Sequence, residues 1–257
     1  AIYAGADINL SNVAIMNSRA AQGGAIYLDG NIALTIDHGL IQGNQAGQGS
    51  VLAMTCLNNL LFTKPNITIQ NSSLVANGAA NNQSMLDLCG EASILLQTNT
   101  IAKNQANSST GAIIKNVSSN ATQANLSENS TLTLLSNTIV ENNAASTLLY
   151  DQLGSKNISF NVLAYNSGQS CRYALNNGNV TDAKLNMSAI NNALQLAAVT
   201  GQCNLPKVAY ESNVSGTNTN IDVSNAGLKQ TRFDMLFGGI NTFINSADQV
   251  VILWLGA

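Results

Sequence analysis

The chain has 257 residues, of which only 9% are charged and 45% are apolar, with a formal net charge of -3. Too few charges repel, and too many apolar groups seek burial, for a disordered polyelectrolyte. Ten Lys+Arg against thirteen Asp+Glu argue against a phosphate-binding surface, so no nucleic acid is expected as a partner.

Along the chain, no basic segment precedes an apolar one at the N-terminus, so no signal peptide is read there. Ala1-Ile2-Tyr3 recurs further on as Ala25-Ile26-Tyr27. The sequence thus opens in the middle of a repeating unit. The expectation is a segment of a longer protein, or a first unit that docks onto another subunit.

One pattern then appears six times, starting at Ile8, Leu34, Ile67, Ile94, Leu132 and Lys156, at short and unequal intervals. It reads aliphatic, any, aliphatic, four residues, aliphatic, two residues, Asn, one residue, then Ala or Gly. Ser18 replaces Asn in the first copy, and Lys156 replaces the leading aliphatic in the last. Small-residue turns lead into second apolar stretches such as Ala25-Ile26-Tyr27 and Ala112-Ile113-Ile114. Alternate apolar residues make strands with one buried face. Asn, Gly and Ser between them turn the chain too soon for helices. A unit this short cannot bury its inward face alone, whereas stacked units pair each strand with its copy above and below. The predicted fold is all-β: a right-handed parallel β-helix, or solenoid, of six or more coils over residues 1–175. Residues 176–257 are expected to form a less regular C-terminal region, irregular coils or a cap on the same solenoid. There Asp182 to Val199 has helix-compatible apolar spacing and reads as an excursion or a short helix. Ile221-x-Val223-x4-Leu228 reads as a degenerate copy before the apolar stretch Val250 to Trp254. The longest apolar run, Gln249 to Ala257, is too short to cross a bilayer.

In such a stack Asn44, Asn77, Asn104, Asn142 and Asn166 occupy one site in successive coils, so each amide can bond the next in a ladder. Asn99, Asn137 and Asn161 repeat this at a second site. Cys56 and Cys89 lie at the same offset beyond the Ala that ends a copy, Ala46 and Ala79. That is one register in adjacent coils, within disulfide reach. Two buried free thiols are the alternative. By elimination Cys171 pairs with Cys203.

Asparagine is unusually abundant, beside much Ser and Thr. Thirteen asparagines sit in Asn-X-Ser/Thr sequons: Asn9, Asn66, Asn71, Asn82, Asn107, Asn116, Asn120, Asn125, Asn129, Asn157, Asn179, Asn186 and Asn213. Chance at this composition would give about six. The excess and the even cysteine count point to N-glycosylation and an oxidising, extracellular or cell-surface location reached through the secretory pathway.

Gly23-Gly24-Ala25-Ile26, followed by Ile41-Gln42-Gly43-Asn44, resembles the tandem Gly-Gly-Ala-Ile and Phe-x-x-Asn motifs of polymorphic outer-membrane proteins. The resemblance spans residues 1 to about 175, with Ile15, Ile41, Leu74, Ile101, Ile139 and Leu163 at the Phe position. Only one coil keeps the full Gly-Gly pair, and no outer-membrane barrel follows in this chain. It implies a β-helical passenger of pectin-lyase-like fold that serves adhesion or surface display.

Polysaccharide-cleaving β-helices set carboxylates on neighbouring coils. Here Asp37, beside His38, meets Ser11, Gln70, Gln97, Leu135 and Ser159 at its position in the other copies. His38 reads as a hydrogen-bonded turn residue. Paired His, Cys-x-x-Cys and a Gly-rich phosphate loop are all absent from the sequence. The reading is therefore a non-enzymatic protein without cofactor or metal: an extracellular, N-glycosylated β-helix acting as rigid spacer, adhesive rod or filament subunit. A carbohydrate-binding or polysaccharide-cleaving β-helix is the alternative. Further copies of itself or flanking β-helix coils are the expected partners, then surface glycans or matrix, with no membrane span in this segment.

Overall fold

The computed structural model describes residues 1–55, 65–117, 130–151 and 154–174, then 187–190, 192–194, 207–209, 220–222, 228–229, 242–245 and 250–252. Among these residues every regular element is a strand. Three parallel sheets dominate. The first runs Ile2–Ala4, Ile26–Leu28, Leu52–Met54, Ser84–Cys89, Ala112–Val117, Ser146–Tyr150 and Gln169–Tyr173. The second runs Ile8–Ser11, Leu34–Asp37, Asn66–Gln70, Ser93–Gln97, Thr131–Leu135, Ser155–Ser159 and Met187–Ile190. In the third, Ala14–Met16, Leu40–Gln42, Ser73–Val75, Thr100–Ala102, Thr138–Val140 and Val162–Ala164 stack in chain order below Ala193–Leu194. The chain visits the sheets in rotation, one layer per circuit, and so forms a parallel β solenoid.

The repeat sets the register. Ile8, Leu34, Ile67, Ile94, Leu132 and Lys156 pair directly, each over the last, and Met187 follows them. Within this sheet the first and third positions point inward: Leu34, Ile36, Ile67 and Ile69 are fully buried, while Thr35 and Thr68 between them are half-buried. The third sheet adds Ile41, Leu74, Ile101, Ile139 and Leu163 to the same core. Each such aliphatic contributes roughly 1.5–3 kcal/mol when removed from water. Alternation of period two therefore supplies both the strand and its buried face.

Two C-terminal expectations are corrected. Within Asp182 to Val199, Met187–Ile190 and Ala193–Leu194 are strands of the second and third sheets and not a helix. The open edges of Ser155–Ser159 and Val162–Ala164 offer parallel partners, and that pairing overrides helical spacing. Beyond it, Asn220–Asp222 joins the third sheet, between Ala193–Leu194 and Lys207–Ala209. Leu228–Lys229 does not resume the solenoid. It lies in a separate antiparallel sheet with Thr242–Asn245 and Val250–Ile252.

One position breaks the apolar column. Lys156, at 3% exposure, stands over Leu132, and its Nζ lies 4.0 Å from Asp151 Oδ1. Burial lowers the lysine to about 8 from its ordinary value of 10.5, with Asp151 opposing the shift. Because the folded value lies below the unfolded one, the unfolded chain holds more protons between about pH 8 and 10. Stability from this group rises across that window. Unfolding free energy measured by denaturant titration should climb between pH 8 and 9.5 in the native protein, with no such rise in Lys156→Met. At pH 7 that variant removes the cation facing Asp151 and should lose about 3 kcal/mol or more.

Candidate functional site

Every circuit turns sharply at two corners, and both use the left-handed backbone region. Asn12, His38, Asn71, Thr98, Ser136 and Phe160 form one column with φ of 49–58°. Asn17, Gly43, Ala76, Lys103, Glu141 and Tyr165 form the other, with φ of 52–68°. For residues other than Gly and Asn this conformation costs roughly 1–2 kcal/mol. The residue after each corner turns inward, and there the asparagines stand.

Asn77 illustrates a full rung. Its backbone N–H and its Nδ2 both donate to Asn104 Oδ1, at 2.9 and 3.1 Å, and Nδ2 also donates to the Ile41 carbonyl at 2.9 Å. Its own Oδ1 accepts from the backbone and side-chain nitrogens of Asn44. Asn104 repeats the set with Asn142, and Asn142 with Asn166. At the second corner Asn99, Asn137 and Asn161 are linked in the same way. That column continues to Asn192, a rung that sequence reasoning missed. It was legible as Met187-x-Ala189-x4-Leu194, with Asn192 at the matching offset. Ser72 occupies the same site two layers below Asn137: its Oγ accepts from Gly39 N–H and donates to the Gln70 carbonyl.

His38 is one of these corner residues, with φ of 55° and its Nδ1 3.0 Å from Asp37 Oδ1. The Asn71 amide donating to Asp37, and then His38, hold that carboxyl below its usual value against the opposing effect of burial. In the sheet Asp37 lies between Ser11 and Gln70, so no second carboxylate stacks on it. Among the described residues no group of His, Cys, Asp or Glu is arranged to hold a metal.

The sequon asparagines fall into different environments. Asn9, Asn66 and Asn157 are exposed. Asn71 Nδ2 donates to Asp37, and Asn107 Oδ1 accepts from the backbone of Ser109 and Thr110. Asn82 and Asn116 are buried, and Asn116 Nδ2 donates to the Cys89 carbonyl at 2.9 Å. A glycan is built on an accessible amide nitrogen, so neither buried residue can carry one in the folded chain. Asn120, Asn125, Asn129, Asn179, Asn186 and Asn213 lie outside the described residues.

Cys89 and Cys171 are both disulfide-bonded. Two strands separate theirs in the first sheet, about 14 Å at normal strand spacing, so they are not bonded to each other. Cys56 and Cys203, on which both expected pairings depend, lie outside the described residues.

A groove of about 720 Å³ lies beside the first layers, between the strand Arg19–Gln22 and the outward face of the first sheet. Tyr3 and Tyr27 stack along one wall with ring centroids 5.6 Å apart. The tyrosine hydroxyls are anchored: Tyr3 to Asp29, and Tyr27 to Thr55 at 2.7 Å. Along the other wall Gln22 donates to Gln48 at 2.7 Å, and Gln48 to Gln83 at 3.0 Å.

Over 40 residues the chain is 65% identical to the colicin V secretion/processing ATP-binding protein CvaB of Escherichia coli. Over 54 residues it is 52% identical to a probable microcin secretion/processing ATP-binding protein, MchF, of the same organism. These stretches are 16% and 20% of this chain, and they span only 6% and 8% of the two relatives. No family model and no solved structure matches the chain.

These matches correct three expectations. The function expected from sequence, an extracellular, N-glycosylated spacer, adhesive rod or filament subunit, is overturned by relatives named for secretion and processing. Cell-surface adhesion and glycoprotein character fall with it. So does an extracellular location reached through the secretory pathway, since both relatives are bacterial ATP-binding proteins. The physical reason is composition: an Asn-rich chain makes sequons in quantity, and the structure uses buried asparagine amides as hydrogen-bonding groups.

Asn104→Leu tests what the ladder contributes. It strips Asn77 of its acceptor and leaves buried backbone and amide groups unbonded, at about 1–3 kcal/mol each. Urea unfolding should show a loss of about 3 kcal/mol or more, while Asn81→Ala at an exposed site should change stability by less than about 0.5 kcal/mol.

Proposed function

We propose that this chain is a non-catalytic β-solenoid module with a transport-related role, working alongside an ATP-binding component of a bacterial secretion system. The observation that carries the reading is the 65% identity over 40 residues to a secretion/processing ATP-binding protein. The sequence holds no Gly-rich phosphate loop, and the Asp37–His38 pair has no second carboxylate beside it. The module therefore acts by binding and positioning, and ATP hydrolysis belongs to its partner. Further copies of the chain, or flanking β-helix coils, are the other partners of this reading, joined through parallel strand edges.

The finer geometry belongs to the same proposal. The coils are right-handed, as nearly all parallel crossovers are. They number six or more, and their repeat is of the polymorphic outer-membrane-protein type, a likeness of fold that carries no surface role here.

Co-expression of the tagged chain with the intact colicin V secretion/processing protein in Escherichia coli tests this. Affinity capture from a detergent extract should recover the two together, with ATP hydrolysis abolished by a phosphate-loop substitution in the transporter alone. No capture, with colicin V export unchanged, overturns the role. Hydrolysis of ATP by the isolated chain overturns its non-catalytic nature.

A further inference from the structure

The groove beside Arg19–Gln22 combines three features that bear on one kind of ligand. First, Arg19–Gln22 pairs in parallel with Gln45–Gln48 in a sheet of only two strands, and all four of its residues are exposed. In a parallel pair, every second residue turns its N–H and C=O away from the partner strand. A free strand edge beside a concavity is the template for adding another strand.

Second, the Gln22–Gln48–Gln83 wall is an amide ladder in which each link engages one N–H and one oxygen. Each primary amide has a second N–H and a second lone pair. The wall thus offers donors and acceptors alternately, matching the groups along a peptide backbone. Third, the opposite wall is aromatic. Tyr3 is 68% exposed over its partner Tyr27, and Ala21 contributes to the floor. Among the described residues no charged side chain lines the groove. A charged segment would therefore lose hydration there without gaining a counter-ion.

We propose that this groove binds an extended, uncharged polypeptide segment, which adds as a third strand beside Arg19–Gln22 and packs its side chains on Tyr3. The inference goes beyond the transport reading and does not depend on it. A volume of about 720 Å³ is within the range of specific small-ligand sites.

The test titrates the full chain into a fluorescein-labelled, capped peptide of alternating threonine and valine and follows anisotropy. Three comparisons run beside it: the N-methylated twin of that peptide, a lysine-bearing version, and a neutral cello-oligosaccharide competitor. The plain peptide should bind saturably, and the N-methylated and lysine-bearing versions at least tenfold more weakly. Ala21→Arg, a change at an exposed position, should weaken binding at least tenfold with an unaltered circular dichroism spectrum. Equal binding of the N-methylated peptide would rule out strand addition. Displacement by the oligosaccharide would assign the groove to saccharides, and absence of saturation at millimolar peptide would sink the proposal outright.

Discussion

The amide–amide hydrogen bond at the corners is what the rest of this structure depends on. A solenoid must turn within two or three residues, and at each turn the backbone leaves the strand geometry that would satisfy its polar groups. Here the residue after each left-handed corner sends an asparagine amide inward, where it takes the place of a peptide group. Asn77 bonds the carbonyl of Ile41 below and the amide of Asn104 above. Because the rungs are about 4.8 Å apart, as strands are, the ladder and the sheets demand the same vertical spacing. A slip of one residue between layers would break both and turn the aliphatic column outward. Register is thus specified twice, by polar and by apolar groups.

That double specification explains the tolerance at the corners themselves. Thr98, Phe160 and Tyr165 all have positive φ, a conformation poorly suited to β-branched and aromatic residues. Each is immediately followed by a buried or half-buried asparagine bonded to its neighbours above and below. The neighbouring rungs hold the corner in place, so the corner residue is free to vary. His38 belongs to the same set, and its pairing with Asp37 follows from its place in the turn.

Much of this architecture was legible because it rests on fixed offsets. The spacing of Leu34, Ile36, Ile41 and Asn44 recurs in later layers, and the strands pair at those offsets. What escaped was the layer in which chemistry persisted and composition changed. Met187-Ser188-Ala189-Ile190 is rich in small and unbranched residues and reads as helical, yet it lies on Ser155–Ser159, with Asn192 continuing the ladder. Local propensity lost to an open sheet edge. The groove was invisible for a different reason. Tyr3 and Tyr27 meet only because their strands pair, and Gln22, Gln48 and Gln83 follow unequal intervals outside the repeated template. The sequons misled because asparagine does two jobs in one alphabet: Asn116 lies in a sequon and is buried, donating to a backbone carbonyl. A fold read correctly from its repeat did not carry the role inferred from that composition.

The ladders also have a direction, and this distinguishes the two ends of the stack. In each rung the backbone N–H and Nδ2 donate toward the following layer, and Oδ1 accepts from the preceding one. The bracing thins toward the first layers. One ladder reaches Asn44 and gives way to Ser18, whose N–H donates to Asn44 but which has no amide of its own. The other has weakened already to Ser72, with Gly39 beyond it contributing only a backbone donor. Core side chains follow the same gradient: Ile26, Leu34 and Ile41 are fully buried, whereas Ile2, Ile8, Leu10 and Ile15 are only partly so. Elements that accept ligands are drawn from the less braced part of a fold, because they must open or adapt to admit one. The groove and the free edge of Arg19–Gln22 lie in that part, where the ladders that lock the other layers have faded.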